Sequence, residues 1–160
     1  MPPNNKLTRE AYVALGCKTI PKSDFNFYLK RIKKYSSYED AIYLAATVLT
    51  KRAFDKLGGF DPKLLHKCFL GCMTLVSKLY SECNMLSLDF QAQIYGIPLP
   101  QLNRIERFVM FDLLDSRIVI TLNQWMEMRE KLIGNGFVTY MLNINDSLRP
   151  KLSSHSFNNL

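Results

Sequence analysis

The segment from Ala41 to Leu49, AIYLAATVL, leaves a folding chain the least choice of any part of this sequence. Ala41, Ile42, Leu44, Ala45, Ala46, Val48 and Leu49 leave no polar face for two helical turns. The run is far short of the roughly 20 residues a membrane span requires. A helix that is apolar all round and too short for a bilayer belongs at the centre of a bundle. Gly58-Gly59 stops it, and Asp61-Pro62 caps and starts the next helix. Leu44→Asp on this helix is expected to destroy the fold, because it buries a charge without a partner.

Helical periodicity and punctuation extend along most of the chain. Thr8 is read as the cap of a short helix to Leu15, stopped by Gly16. After Pro21, Ser23 or Asp24 caps a helix to Tyr35 with Phe25, Tyr28, Leu29 and Ile32 on its apolar stripe. Lys30, Lys33 and Lys34 form its outer, basic face. The helix from Pro62 to about Glu82 carries an edge of Lys67, Gly71, Thr74 and Lys78. That edge is either solvated or, given its small residues, a place where another backbone approaches closely. Shorter helices follow over Leu86 to Tyr95 and Leu99 to Leu114. RIVIT (Arg117 to Thr121) is extended or a connector, and Thr121 or Asn123 opens a last helix stopped by Gly134-Asn135-Gly136. No strand pattern or internal repeat competes, so the expected fold class is all-α.

Composition bounds function only loosely. The chain has 160 residues, 48% of them hydrophobic, which suffices for one domain with a real core. Its net charge of +7 favours anionic surroundings without choosing among them. The opening MPPNNKLTRE has no apolar signal region, and no membrane span is readable, so an intracellular protein is expected. The four cysteines, Cys17, Cys68, Cys72 and Cys83, are scattered and form no disulfide framework. Cys68 and Cys72, a turn apart and near His66, lack metal-site spacing and are read as buried thiols. No nucleophile elbow, phosphate-cradling glycine loop or zinc motif occurs, so no catalytic residue, metal or cofactor is expected.

Two charges interrupt the apolar faces. Lys78 breaks the run CFLGCMTLVSKLYSE, and Glu106 falls inside the stripe of Leu102, Ile105, Val109 and Leu113. A charge set in an apolar face costs on the order of several kcal/mol unless it is paired. It is therefore either paired inside the fold or presented to a partner.

The order of these segments resembles the cyclin box, and most closely the single-box cyclins typified by yeast phosphate-pathway cyclins and plant P- or U-type cyclins. IPKSDFNFYLKRIKKY (Ile20 to Tyr35) is similar to that subfamily's opening helix, and AIYLAATVLTKR stands where its second helix does. LVSKLYSE (Leu75 to Glu82) and YGIPLPQLNRIERFVMFDLLDSRIVIT (Tyr95 to Thr121) resemble its third and fifth helices. Thr50 stands where the family's second helix has an aspartate, so Arg31 of the first helix needs a different partner or faces solvent.

The resemblance implies a single cyclin box: a five-helix bundle around a central buried helix, with short flanking N- and C-terminal helices. Residues 1–22 are then an N-terminal extension, 23–121 the box, 122–142 a C-terminal helix and connector, and 143–160 a flexible tail. It further implies a regulatory subunit, not an enzyme, that binds and activates a cyclin-dependent protein kinase by holding the kinase's regulatory helix inward. The expected kinase-binding residues are Lys78, Glu106, Leu75, Leu102 and Arg31. The chain is expected to be a monomer until it meets the kinase, in the cytoplasm, the nucleus or both. The alternative is a cyclin-fold nucleic-acid-binding or scaffold module without kinase activation. The dispersed basic residues and the lack of a stacking platform weigh against nucleic acid.

Overall fold

The computed structural model describes residues 5–15, 25–36, 38–58, 62–80 and 87–135. All regular structure within them is helical: α1 (Asn5–Leu15), α2 (Phe25–Tyr35), α3 (Asp40–Leu57), α4 (Pro62–Tyr80), α5 (Leu88–Tyr95), α6 (Leu99–Phe108) and α7 (Leu122–Asn135). A π-helical turn, Val109–Leu113, continues α6. The expected all-α class is what the chain adopts.

Two long helices form the middle. Helix α3 packs along α4, α7 and the π turn, while α4 also meets α1, α5 and α6. The all-apolar run explains this: Ala45, Ala46, Leu49, Ala53 and Phe54 have no exposed surface, nor have Cys68, Cys72, Met73 and Val76 of α4. Both thiols are buried, as read from their surroundings. Polar residues inside these helices satisfy themselves locally. Thr47 and Thr50 donate to the carbonyls of Tyr43 and Ala46 at 2.8 and 2.7 Å, and Thr74 to Leu70 at 3.0 Å. Leu44 departs from the expectation. It lies at the edge of α3, only partly buried, because the run of apolar residues is longer than the arc that α4 and α7 cover.

The helix ends follow from local chemistry. Gly58 closes α3 in the left-handed conformation (φ 69°), its N–H reaching Phe54 and Asp55 carbonyls, and Gly96 does the same for α5 (φ 71°). Ser87 caps α5 by accepting the Phe90 N–H at 3.2 Å. Thr121 and Gln124 form a reciprocal box that opens α7: Thr121 N–H donates to Gln124 Oε1 at 2.9 Å, and Gln124 N–H to Thr121 Oγ1 at 3.2 Å. Thr8 is not a cap: α1 already begins at Asn5, and Thr8 lies in its first turn. Helix α7 also runs through Gly134 to Asn135. The proposed stops and caps at Gly16, Ser23, Asp24, Gly59, Asp61 and Gly136, and the residues 143–160, lie outside the described residues.

Helix α1 packs on α6 and α4 through Leu7, Ala11 and Leu15. The exit from α6 is pinned to the end of α3. Lys56 Nζ bonds Asp115 Oδ2 at 2.5 Å, and the Arg52 guanidinium donates to the Arg117 carbonyl. These ties hold Asp115 and Ser116 at positive φ (53° and 62°), which side chains other than glycine seldom adopt.

His66 of α4 is 6% exposed, and burial with Lys67 alongside holds its pKa down from the ordinary 6.5 to about 4. Between those values the unfolded chain takes up a proton that the folded chain refuses, so stability falls as pH drops from about 6.5 toward about 4. The loss from this one group is on the order of 2–3 kcal/mol. His66→Gln should flatten that part of the profile, read as melting temperature against pH. Equal acid slopes in the two proteins would place His66 in water.

Candidate functional site

The edge of α4 that carries Gly71 and Thr74 is a packing seam. Both residues are buried, and a methyl group built on Gly71 would stand 2.9 Å from Ile105 Cγ2 and 2.9 Å from Val109 Cγ2. Helix α6 therefore crosses α4 at glycine contact. Leu102 and Ile105 of α6 have no exposed surface, so the apolar stripe is consumed by this crossing.

Lys78 and Glu106 sit where the seam meets solvent. Lys78 Nζ donates to Glu106 Oε1 at 2.7 Å, with the lysine side chain 36% exposed and the glutamate side chain 16%. The two interrupting charges thus meet each other. The pairing is incomplete, because Glu106 Oε2 is buried and has no hydrogen-bond donor among the described residues. A carboxylate oxygen left in that state raises the free energy by on the order of 1–3 kcal/mol, which an incoming donor would remove. Beside the pair, Leu79 is 48% and Tyr80 37% exposed at the end of α4. Tyr80 is anchored there by its hydroxyl, 3.3 Å from the Ile118 carbonyl, and by an edge-on contact with Trp125 at 5.9 Å.

The other expected residues are not brought into one exposed cluster. Leu75 is 5% exposed and Leu102 wholly buried, so both lie beneath the surface that Lys78 and Glu106 reach. Arg31 is elsewhere and engaged: its Nε donates to the Ile94 carbonyl at 2.7 Å and its Nη2 to the Gln93 carbonyl at 3.4 Å. These are the last carbonyls of α5, where a cation is favoured by orphan acceptors and by the helix dipole. The departure at Thr50 is thereby resolved. Thr50 bonds within its own helix, and Arg31 finds the end of α5 and the ring of Tyr35, 5.5 Å away, instead of an acid.

Sequence reasoning missed the polar network that fixes α7. Arg52 reaches Gln124 Oε1 at 3.2 Å as well as the Arg117 carbonyl, and burial pushes its pKa down. The sequence signal available was Thr121-x-x-Gln124, a capping-box pattern. Among the described residues there is no group of side chains able to hold a metal ion, and no helix long and apolar enough to cross a membrane.

No curated protein matches the chain. The family model described as Cyclin matches residues 5–114, from the start of α1 to just past the π turn. That span takes in the two central helices and both charges of the α4–α6 seam. It covers more than half of the sequence, and the chain belongs to the cyclin family.

Proposed function

We propose that this protein is the regulatory subunit of a cyclin-dependent protein kinase, and that it holds the kinase's regulatory helix inward. The observation that carries the reading is the Lys78–Glu106 pair, set at the mouth of the α4–α6 seam with one carboxylate oxygen short of a donor. Helix ends and loops of a partner present just the groups such a pair engages: carbonyls for the ammonium and N–H groups for the carboxylate. Leu79 and Tyr80 supply apolar contact alongside, while Leu75 and Leu102 support the pair from beneath. Held in this way, the kinase helix brings its own ion pair into register for phosphoryl transfer. The chain acts as a single-box cyclin resembling the P/U type, monomeric until it binds. Arg31, exposed on α2, fixes α5 by donating to the Ile94 carbonyl.

The test uses near-isosteric changes, Lys78→Met and Glu106→Gln, against a panel of purified cyclin-dependent kinases. An ion pair at the rim of the fold, its lysine 36% and its glutamate 16% exposed, contributes on the order of 1 kcal/mol to folding. The melting temperature should therefore fall by less than about 4 °C. Charge-assisted bonds to a partner are worth about 1.5–3 kcal/mol each, so kinase affinity should fall roughly 10- to 100-fold per substitution. Stimulation of kinase activity should fall in parallel. Variants that bind and activate like the wild type would make the pair a structural bridge, and no binding to any kinase would remove the kinase reading.

A further inference from the structure

A second surface opens between α2, α3 and α7. It is a groove of about 540 Å³, within the roughly 300–1,000 Å³ range of ligand-binding clefts. Leu44, Trp125 and Leu132 form its apolar wall, all only partly buried by the fold. Two cations stand on its rim. Lys33 is exposed and its ammonium lies 5.5 Å from the centre of the Tyr43 ring, which also lines the groove. Arg129 projects from α7 on the other side, exposed, and neither cation forms an ion pair with a described residue. Among the described residues lining the groove the one acid is Asp40, in the first turn of α3, where the helix N-terminus already favours a negative charge.

We propose that this groove docks a partner protein through an acidic segment carrying a large apolar side chain. The wall takes the apolar anchor and the rim takes the acids. The basic face does not end at the groove: Lys30, Lys33 and Lys34 are exposed at the i, i+3 and i+4 spacing that places them on one side of α2. A continuing row of cations suits an extended polypeptide better than a compact small molecule. A second copy of this chain, with its net charge of +7, would bring like charge to the same rim. A nucleic-acid backbone would leave the wall of Leu44 and Leu132 without a partner. The groove shares no lining residue with the kinase site, although its Trp125 meets Tyr80 of that site edge-on at 5.9 Å, and its test needs the chain alone.

Trp125 is the sole tryptophan of the chain, so its emission reports on the groove directly. The experiment selects a displayed random-peptide library on the wild-type protein and synthesises the enriched peptides. Their binding is then followed through Trp125 fluorescence. Enriched sequences should combine Asp or Glu with a large apolar residue and shift the emission to shorter wavelength. Lys33→Glu/Arg129→Glu should weaken them by about tenfold or more, because each favourable rim charge becomes repulsive. Leu44→Asp should weaken them as well by placing an acid on the wall. Circular dichroism of the variants checks that the helices persist. Enrichment of basic or uncharged peptides, or of none beyond those selected on Lys33→Glu/Arg129→Glu, overturns the proposal. So does unchanged affinity in both variants. Binding of a duplex oligonucleotide that is lost in Lys33→Glu/Arg129→Glu, with no acidic peptide selected, would give the face to nucleic acid.

Discussion

Gly71→Val should lower the free energy of unfolding by roughly 3 kcal/mol or more, although valine is no worse a helix former than glycine. The cause is the contact between α4 and α6. Even a single methyl group at Gly71 meets Ile105 Cγ2 and Val109 Cγ2, both at 2.9 Å. These are branches of stiff side chains whose helical rotamers are nearly fixed, so they cannot swing aside cheaply. Relief must come from moving one helix against the other, in an interior packed as densely as an organic crystal. For Gly71→Ala the gain in helix propensity, about 1 kcal/mol, opposes an overpacking cost of about 1–3 kcal/mol, and the net is a smaller loss. In a Val109→Ala background one of the two contacts is gone, and the penalty of Gly71→Ala should shrink. A double-mutant cycle from urea unfolding measures that coupling. Additive effects would mean that the helices do not meet at Gly71.

The same substitution has a functional reading. Lys78 and Glu106 project from the two helices that Gly71 holds together, and their 2.7 Å bond depends on that spacing. A sub-ångström separation at Gly71 is carried along rigid helices to the pair. On the proposed function, kinase affinity should therefore fall in Gly71→Ala even under conditions where the protein remains fully folded.

How much of this was legible beforehand depended on whether the cause was local. The run around Ala45 and Leu49 announced its burial because an all-apolar helix has no other stable place in water. Gly58 announced the end of α3 because left-handed geometry favours glycine. Lys78 and Glu106 were conspicuous as charges within apolar stripes, and the structure adds that they face each other. The small residues Gly71 and Thr74 left two readings open, and only the partner helix decides that the edge is a seam.

What stayed hidden was set by long-range fit. The π turn at Val109–Leu113 leaves no signature in VMFDL, because it arises where α6 must exit toward Arg52 and Lys56 of α3. Arg31 looked stranded without an acid opposite Thr50, yet the end of α5, more than sixty positions away, offered carbonyls instead. Leu102 followed the apolar stripe into the core and has no exposed surface. The groove by Trp125 depends on where α7 lands across α3, which neither helix encodes alone.

Leu49→Asp and Leu44→Asp test that placement together, and they should differ sharply although they lie a turn and a half apart on one helix. Leu49 has no exposed surface. Removing its side chain from the core costs about 2–5 kcal/mol. A buried carboxylate with no partner adds several more, which together approach the ~5–15 kcal/mol that holds a typical domain. Leu49→Asp should therefore yield no cooperatively folded protein, visible as lost helical circular dichroism and no urea transition. Leu44 lies instead on the wall of the open groove, where Lys33 and Arg129 also stand. An aspartate there keeps access to water and gains two nearby cations, so the loss should stay below about 2 kcal/mol. If Leu44→Asp unfolds the chain as Leu49→Asp does, α7 lies closed over α3 in solution and there is no groove to dock a partner. If it folds and only the acidic peptides are lost, the edge of the central helix is a binding wall and not core.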